Sequence, residues 1–408
     1  MEILHRLPQF AAVLIFLATY LVVAIGRLPG FRLDRAGAAF LGAALMVATG
    51  ALSMQQALRA VDFDTIALLL GMMILVANLR LAGFFRVVTS LAVRRAGHPL
   101  LLLGAIVLVS GLLSAFLVND TICLVLTPLV LDVVLKLERQ PVPYLLGLAM
   151  ASNIGSTATI TGNPQNIIIG SLSGISYGHF AAVLSPVAAI GLVLTVGLIA
   201  LVWRGEFLVR ARFTADPPPS RAHAGMIVES LLVAAGLVVA FFVGVRPAKA
   251  AVVGGGLLLL TRRVKSEKVY AEIDWTLLLM FAGLFIVVAG LEKALLTPAL
   301  IHRVGALHLD RTAVLSGITA VLSNIVSNVP AVLVLRPFIA GLADPAHAWL
   351  VVAMAATLAG NFTLLGSVAN LIVAQKARAR GVEISFRAYF LVGAPLTVLT
   401  ILVGIWLV

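Results

Sequence analysis

Long apolar runs alternate with short charged stretches along this chain, and the runs recur at the roughly 17 to 25 residues that suit bilayer-spanning helices. In the first half they read Phe10–Gly26, Ala36–Leu52, Thr65–Leu81, a longer region Leu100–Leu135, Tyr144–Leu172 and Phe180–Trp203. A polar joint from Arg204 to Ala224 follows, and it contains Pro217, Pro218 and Pro219. Three successive prolines cannot continue a helix and favour extended polyproline structure. The second half then repeats the order with Met226–Val245, Ala250–Thr261, Trp275–Leu291, Thr312–Ala340, Ala348–Ala374 and Ala388–Val408. The pattern predicts an all-α polytopic membrane protein with repeats over 1–203 and 226–408 and a cytoplasmic linker over 204–225.

Residue-level echoes support the duplication. Asp62-Phe63 with Gly71 matches Asp274-Trp275 with Gly283 at one offset. Ser114, Asn119 and Pro128 match Ser323, Asn328 and Pro337 at a second, and Thr159, Gly162 and Asn166 match Thr363, Gly366 and Asn370 at a third.

The region Leu100–Leu135 is too long for one span and breaks at Asn119-Asp120. Two full spans would just fit. A re-entrant hairpin with its tip at Asn119–Thr121 is the expected arrangement, because the loop charges then sort cleanly. Five spans and one hairpin per half make the two halves inverted in the membrane. With both termini outside, 21 of the 29 basic residues lie on the cytoplasmic side and 7 outside, with Arg336 inside the second hairpin. That bias follows the positive-inside rule.

Composition narrows the class. The chain is 61% hydrophobic and 11% charged, against about 25% charged in soluble domains. A net charge of +12 could suggest nucleic acid, but its basic residues are scattered in short clusters between spans, so no nucleic-acid partner is expected. The one cysteine, Cys123, excludes an internal disulfide and a cysteine-based metal site. The first span lacks a cleavage pattern and is expected to be retained. No G-x-x-x-x-G-K-[ST] loop occurs, so ATP-driven transport by this chain alone is not expected.

Against this apolar background two clusters stand out, Ser114 to Pro128 and Ala151 to Asn166. Small hydroxyls, amides and one carboxylate among helix breakers suit unwound backbone that serves a ligand. Within a bilayer such backbone is tolerated only when buried in protein or lining a cavity, and transporters build midplane sites this way. The hairpin tips at Asn119–Thr121 and Ser327–Pro330 are expected to meet broken helices around Ser152–Asn166 and Gly360–Asn370. Gly155, Gly162, Gly360 and Gly366 would permit close backbone approach or a positive φ.

Asp120 is the only carboxylate in either cluster. An ionisable residue at membrane depth is a functional hypothesis by default, so Asp120 reads as a proton or cation site, with a structural ion pair to Arg336 or a hydrogen-bonded tip as the competing role. Arg336 itself has three readings: anion binding, pairing with Asp120, or snorkelling to the outer surface. Asp62, Asp64 and Asp274 begin spans and read as helix N-caps. A membrane-embedded enzyme would need a paired carboxylate or a nucleophile with its base, and neither is present at depth.

At Asn119-Asp120-Thr121 through Pro128, at Ser152-Asn153 through Asn166, and at Ser323-Asn324 through Pro330, the chain resembles the ion-transporter superfamily. The resemblance is to its arsenite-permease (ArsB) and sodium/proton-antiporter (NhaD) branch, related to the divalent anion/sodium symporters. It spans nearly the whole chain and implies an inverted-repeat secondary transporter with re-entrant hairpins. Carried over by position, Asn119, Asp120 and Thr121 match the first hairpin tip, and Ser152, Asn153, Gly155, Thr157, Thr159, Gly162, Asn163 and Asn166 match the first broken helix. Asn324, Asn328, Asn361, Thr363, Gly366 and Asn370 match the second half. The implied activity is transport of a small anion, oxyanion or metalloid solute coupled to H⁺ or Na⁺, with Na⁺/H⁺ antiport as the alternative. No cofactor is implied beyond Na⁺ as a candidate coupling ion. The implied setting is a multi-pass protein, here a bacterial cytoplasmic-membrane protein, with a homodimer as the expected assembly.

Overall fold

The computed structural model describes residues 2–25, 33–95, 97–207, 222–261, 263–295 and 307–408. Its regular elements are helices, 20 among the described residues. The first ten are α1 (Glu2–Ile25), α2 (Arg35–Ala48), α3 (Met54–Ala60), α4 (Phe63–Ala82), α5 (Phe84–Arg95), α6 (Pro99–Phe116), α7 (Asn119–Lys136), α8 (Pro141–Ser156), α9 (Pro164–Ser173) and α10 (Tyr177–Val202). A short α11 (Arg204–Phe207) follows, then α12 (Ala224–Phe242), α13 (Pro247–Leu260), α14 (Ser266–Tyr270) and α15 (Trp275–Leu295). The last five are α16 (Thr312–Val326), α17 (Asn328–Ile339), α18 (Pro345–Ala359), α19 (Val368–Arg378) and α20 (Phe386–Leu407).

Local chemistry sets the boundaries. Proline opens α6, α8, α9, α13 and α18, where its missing N–H costs nothing. Ser53 and Gln56 form a reciprocal capping box on α3. Asp62 and Asp274 cap as the sequence predicts: Asp62 Oδ1 accepts from Asp64 N and Thr65 N, and Asp274 Oδ1 accepts from Leu277 N. Asp64 instead lies inside the first turn of α4.

Among the described residues, 7 helices are long and apolar enough to cross a bilayer. The lipid-facing and central roles follow from burial. α1 and α12 expose large apolar side chains such as Leu14, Leu21, Leu232 and Val239, while α8 and α18 are buried on every side from Pro143 to Ser156 and from Ala348 to Ala359. A helix apolar all round belongs in a core, and these two form its centre.

Packing repeats in the two halves, with partners exchanged between halves for α1, α2, α12 and α13 and kept within a half for α6 and α16. α2 packs on α15 and α13 on α4; α6 packs on α8 and α16 on α18; α1 packs on α15 and α12 on α4. The broken-helix arms cross over: α19 packs on α7, and α9 on α17 and α18.

One expectation changes in detail. The bend of the first hairpin lies at Leu117–Val118, where Leu117 is extended and Val118 has φ −50 and ψ 120, and Asn119 already begins α7. The reason is that Asn119 N–H finds a partner at once, the Gly162 carbonyl at 3.0 Å, so the helix can start without a side-chain cap. The linker prolines Pro217–Pro219 lie outside the described residues.

Candidate functional site

Each central helix stops in mid-protein, and its last carbonyls need donors. One asparagine per half supplies them from the following arm. Asn166 Nδ2 donates to Ser156 O and Thr159 O, both at 3.0 Å. Its repeat counterpart Asn370 Nδ2 donates to Gly360 O at 2.8 Å and Thr363 O at 3.3 Å. Gly162 is required here because a Cβ on it would meet Ser156 O at 2.2 Å, and Gly155 because a Cβ would meet Gly111 O at 2.1 Å. None of Gly155, Gly162, Gly360 and Gly366 uses a positive φ, so close approach is their role.

From these fixed points an amide chain runs through the centre. Asn370 spends its Nδ2 on carbonyls, so its Oδ1 must accept, and Asn153 Nδ2 donates to it at 3.0 Å and to Asn361 Oδ1 at 2.8 Å. Asn361 is oriented by its own bond to Met150 O at 3.1 Å. Asn153 Oδ1 is then an acceptor, taking Asn119 Nδ2 at 3.0 Å and Ser367 Oγ at 3.1 Å. Each amide's orientation is dictated by the next. The end of the chain is Asn119 Oδ1, which is buried with no hydrogen-bond partner.

A second chain mirrors the first. Thr357, the repeat counterpart of Asn153, accepts from Asn163 Nδ2 and Gln165 Nε2, both at 3.1 Å, and donates to Asn166 Oδ1 at 3.5 Å. Ser152 Oγ ties the first tip down through Asn119 O at 3.1 Å and Ser114 Oγ at 2.8 Å.

Both tips face one cavity. Asn119 and Asp120 line it from the first hairpin and Ser327 and Asn328 from the second, with Gln165 and Ser367 from the broken-helix arms. Asn328 Oδ1 is, like Asn119 Oδ1, buried and unpartnered. Asn324 Nδ2 is spent on Ala320 O and Ala359 O, which leaves Asn324 Oδ1 unpartnered as well. Ser327, the one residue between α16 and α17, has φ 78 and ψ 160, a region occupied almost only by glycine.

Asp120 also borders a second cavity with Thr121, Arg80, Glu272 and Asp274. Arg80 and Glu272 close an ion pair on each other. Arg35, at the first turn of α2, lines the first cavity with Asp120, and sequence reading counted it only as a loop charge. Arg336 is not among the residues lining either cavity; its charge acts on Glu292 of α15. Thr157 and Thr159 are buried away from the cavities, Thr157 on Asn153 O at 3.4 Å and Thr159 on Ala115 O. Of the residues the sequence missed, Thr357 and Ser367 were findable, as the counterparts of Asn153 and Asn163 at the offset that relates Asn166 to Asn370.

The sequence model of the citrate transporters (CitMHS) matches residues 20–359, most of the chain. The chain belongs to the citrate transporter family. That places this family member within the same superfamily as the ArsB and NhaD permeases it resembles. A Mycobacterium leprae 46 kDa membrane protein is 32% identical over 422 residues, with 97% of each chain covered. The rice silicon efflux transporter LSI3 is 28% identical, with 93% of each covered. Among solved structures, the Alcanivorax borkumensis YdaH transporter superposes with a TM-score of 0.58 over 98% of this chain and 96% of its own, at 17% identity, a likeness of fold. This citrate-transporter relative is therefore a multi-pass integral membrane transporter.

Proposed function

We propose that the protein is a secondary active transporter of a small anion, oxyanion or metalloid solute, coupled to H⁺ or Na⁺, and that its two halves are inverted repeats. The observation that carries this reading is the cavity where both hairpin tips meet, with the Asp120 carboxylate beside the unpartnered Asn119 Oδ1. A buried acceptor without a partner costs roughly 1–3 kcal/mol, so such groups favour a ligand that brings positive charge or O–H donors. The exchange of packing partners between halves supports the inverted arrangement, and Arg35 and Arg80 at the cavities belong to the basic-rich face read as cytoplasmic.

A second reading, Na⁺/H⁺ antiport, has its own support. Asn119, Asn324 and Asn328 all leave an amide oxygen unpartnered, and hard cations are held by such oxygens without help from a solute.

The test is thermal stability of the purified protein against Na⁺, Li⁺, citrate, succinate, sulfate, phosphate and arsenite at two pH values, since a ligand of the native state raises the melting temperature. An anion that stabilises only with Na⁺ or at acid pH supports coupled transport. Stabilisation by Na⁺ or Li⁺ alone, larger at high pH, supports the antiporter. In proteoliposomes Asp120→Asn abolishes coupled uptake while the protein still folds; full uptake in that variant removes Asp120 from the mechanism.

A further inference from the structure

Arg35 and Asp120 face one cavity from opposite elements, the first turn of α2 and the first turn of α7. Asp120 is the charge that acts on Arg35, and Arg35 is the positive charge that acts on Asp120, on which Asp274 acts more strongly. They nevertheless form no ion pair: the pairs among the described residues are Arg80–Glu272, Arg139–Glu206, Arg263–Glu229 and Arg380–Asp132. A guanidinium and a carboxylate are thus held apart across a space whose remaining polar lining includes the unpartnered oxygens of Asn119 and Asn328.

We propose that Arg35 binds the anionic group of the solute while Asp120 takes the coupling H⁺ or Na⁺, so that coupling arises from charge compensation across this cavity. The inference rests on the coupled-transport reading above and adds the residue and the rule that enforce the coupling. When the cavity is empty, Arg35 and Asp120 balance each other. An anion alone satisfies Arg35 and leaves Asp120 without a counter-charge; a cation alone does the reverse. Counting the two charges that line this cavity, only the empty and the doubly occupied states balance, and an uncompensated charge away from water is strongly disfavoured. The solute therefore moves as a monovalent anionic group with one H⁺ or Na⁺.

Other charges nearby do not supply the compensation. Asp274 acts on Asp120 more strongly than Arg35 and with opposite sign, but it is exposed before α15 and does not line this cavity, so water compensates its charge. Arg80 and Glu272 face the second cavity and are spent on each other.

The test is pH-difference infrared spectroscopy of the full-length protein in lipid nanodiscs, following the protonated-carboxyl band that Asp120→Asn removes. In Arg35→Gln the band should appear at a pH about one unit higher than in wild type, because a compensating positive charge has gone; Arg35→Lys should keep the wild-type value. In proteoliposomes Arg35→Gln should let H⁺ or Na⁺ cross without solute severalfold faster than wild type. An unmoved band, or no solute-independent flux, in folded Arg35→Gln overturns the assignment of Arg35 while leaving Asp120 in the transport reading. Absence of any band lost in Asp120→Asn removes both.

Discussion

Asn153 and Asn361, 208 residues apart in the chain, share a 2.8 Å amide–amide hydrogen bond at the centre of the protein. Asn153 is also bonded to Asn119, Asn370 and Ser367, so one side chain ties the first hairpin tip to the broken helix of the other half. Both partners are buried. The bond therefore belongs to the class that contributes little when made and costs much when half removed.

Replacing that hub tests the claim. Asn153→Ala strands the amide of Asn119 and the acceptors of Asn361 and Asn370. At about 1–3 kcal/mol for each group left unpaired, the loss should fall near 3–9 kcal/mol and appear as a large drop in melting temperature by scanning fluorimetry in detergent. A variant that melts with wild type would show that water replaces the side chain and that the hub is not structural.

Ser327 occupies a backbone conformation that costs about 1–3 kcal/mol for a residue with a side chain. Ser327→Gly removes that strain without touching the hydrogen-bond chains, so the protein should be equally or more stable. The tip also loses its conformational restriction, and the apparent affinity for the transported solute should weaken severalfold. Titrating solute against initial uptake rate measures the second effect, and an unchanged affinity would assign the strain to folding geometry alone.

The two capping aspartates differ in a way that reaches the site. Asp62 uses both oxygens on its own helix, with Oδ2 accepting from Thr65 Oγ1 at 2.9 Å. Leu277 stands where the repeat would place that threonine, so Asp274 accepts from Leu277 N at Oδ1 without a hydroxyl from that position, and it lines a cavity with Asp120. Asparagine caps about as well as aspartate, so Asp274→Asn should melt within about 0.5 kcal/mol of wild type. It removes a like charge near Asp120, and the Asp120 infrared band should then appear at lower pH, opposite in sign to Arg35→Gln. A band at the wild-type pH would mean that the two carboxylates are screened from each other.

Much of this was legible in one dimension. Apolar runs of span length gave the helices, prolines and acidic caps gave many of their starts, and the echo of Asn166 in Asn370 marked the two asparagines that cap the interrupted helices. These signals are local: each depends on residues within a few turns, and burial in lipid or protein enforces them along the whole length of a helix. What the tertiary structure decided was which side chains share a space. Arg35 looked like a cytoplasmic loop charge, Asp274 like a second copy of Asp62, and Arg336 like a partner for Asp120. The folded chain brings Arg35 from α2 and Asp274 from the other half to cavities lined by Asp120, while Arg336 lines neither cavity and its charge acts on Glu292. No spacing in the sequence carries that information, because contact between helices far apart in the chain depends on how they pack and not on where each residue falls in its own helix.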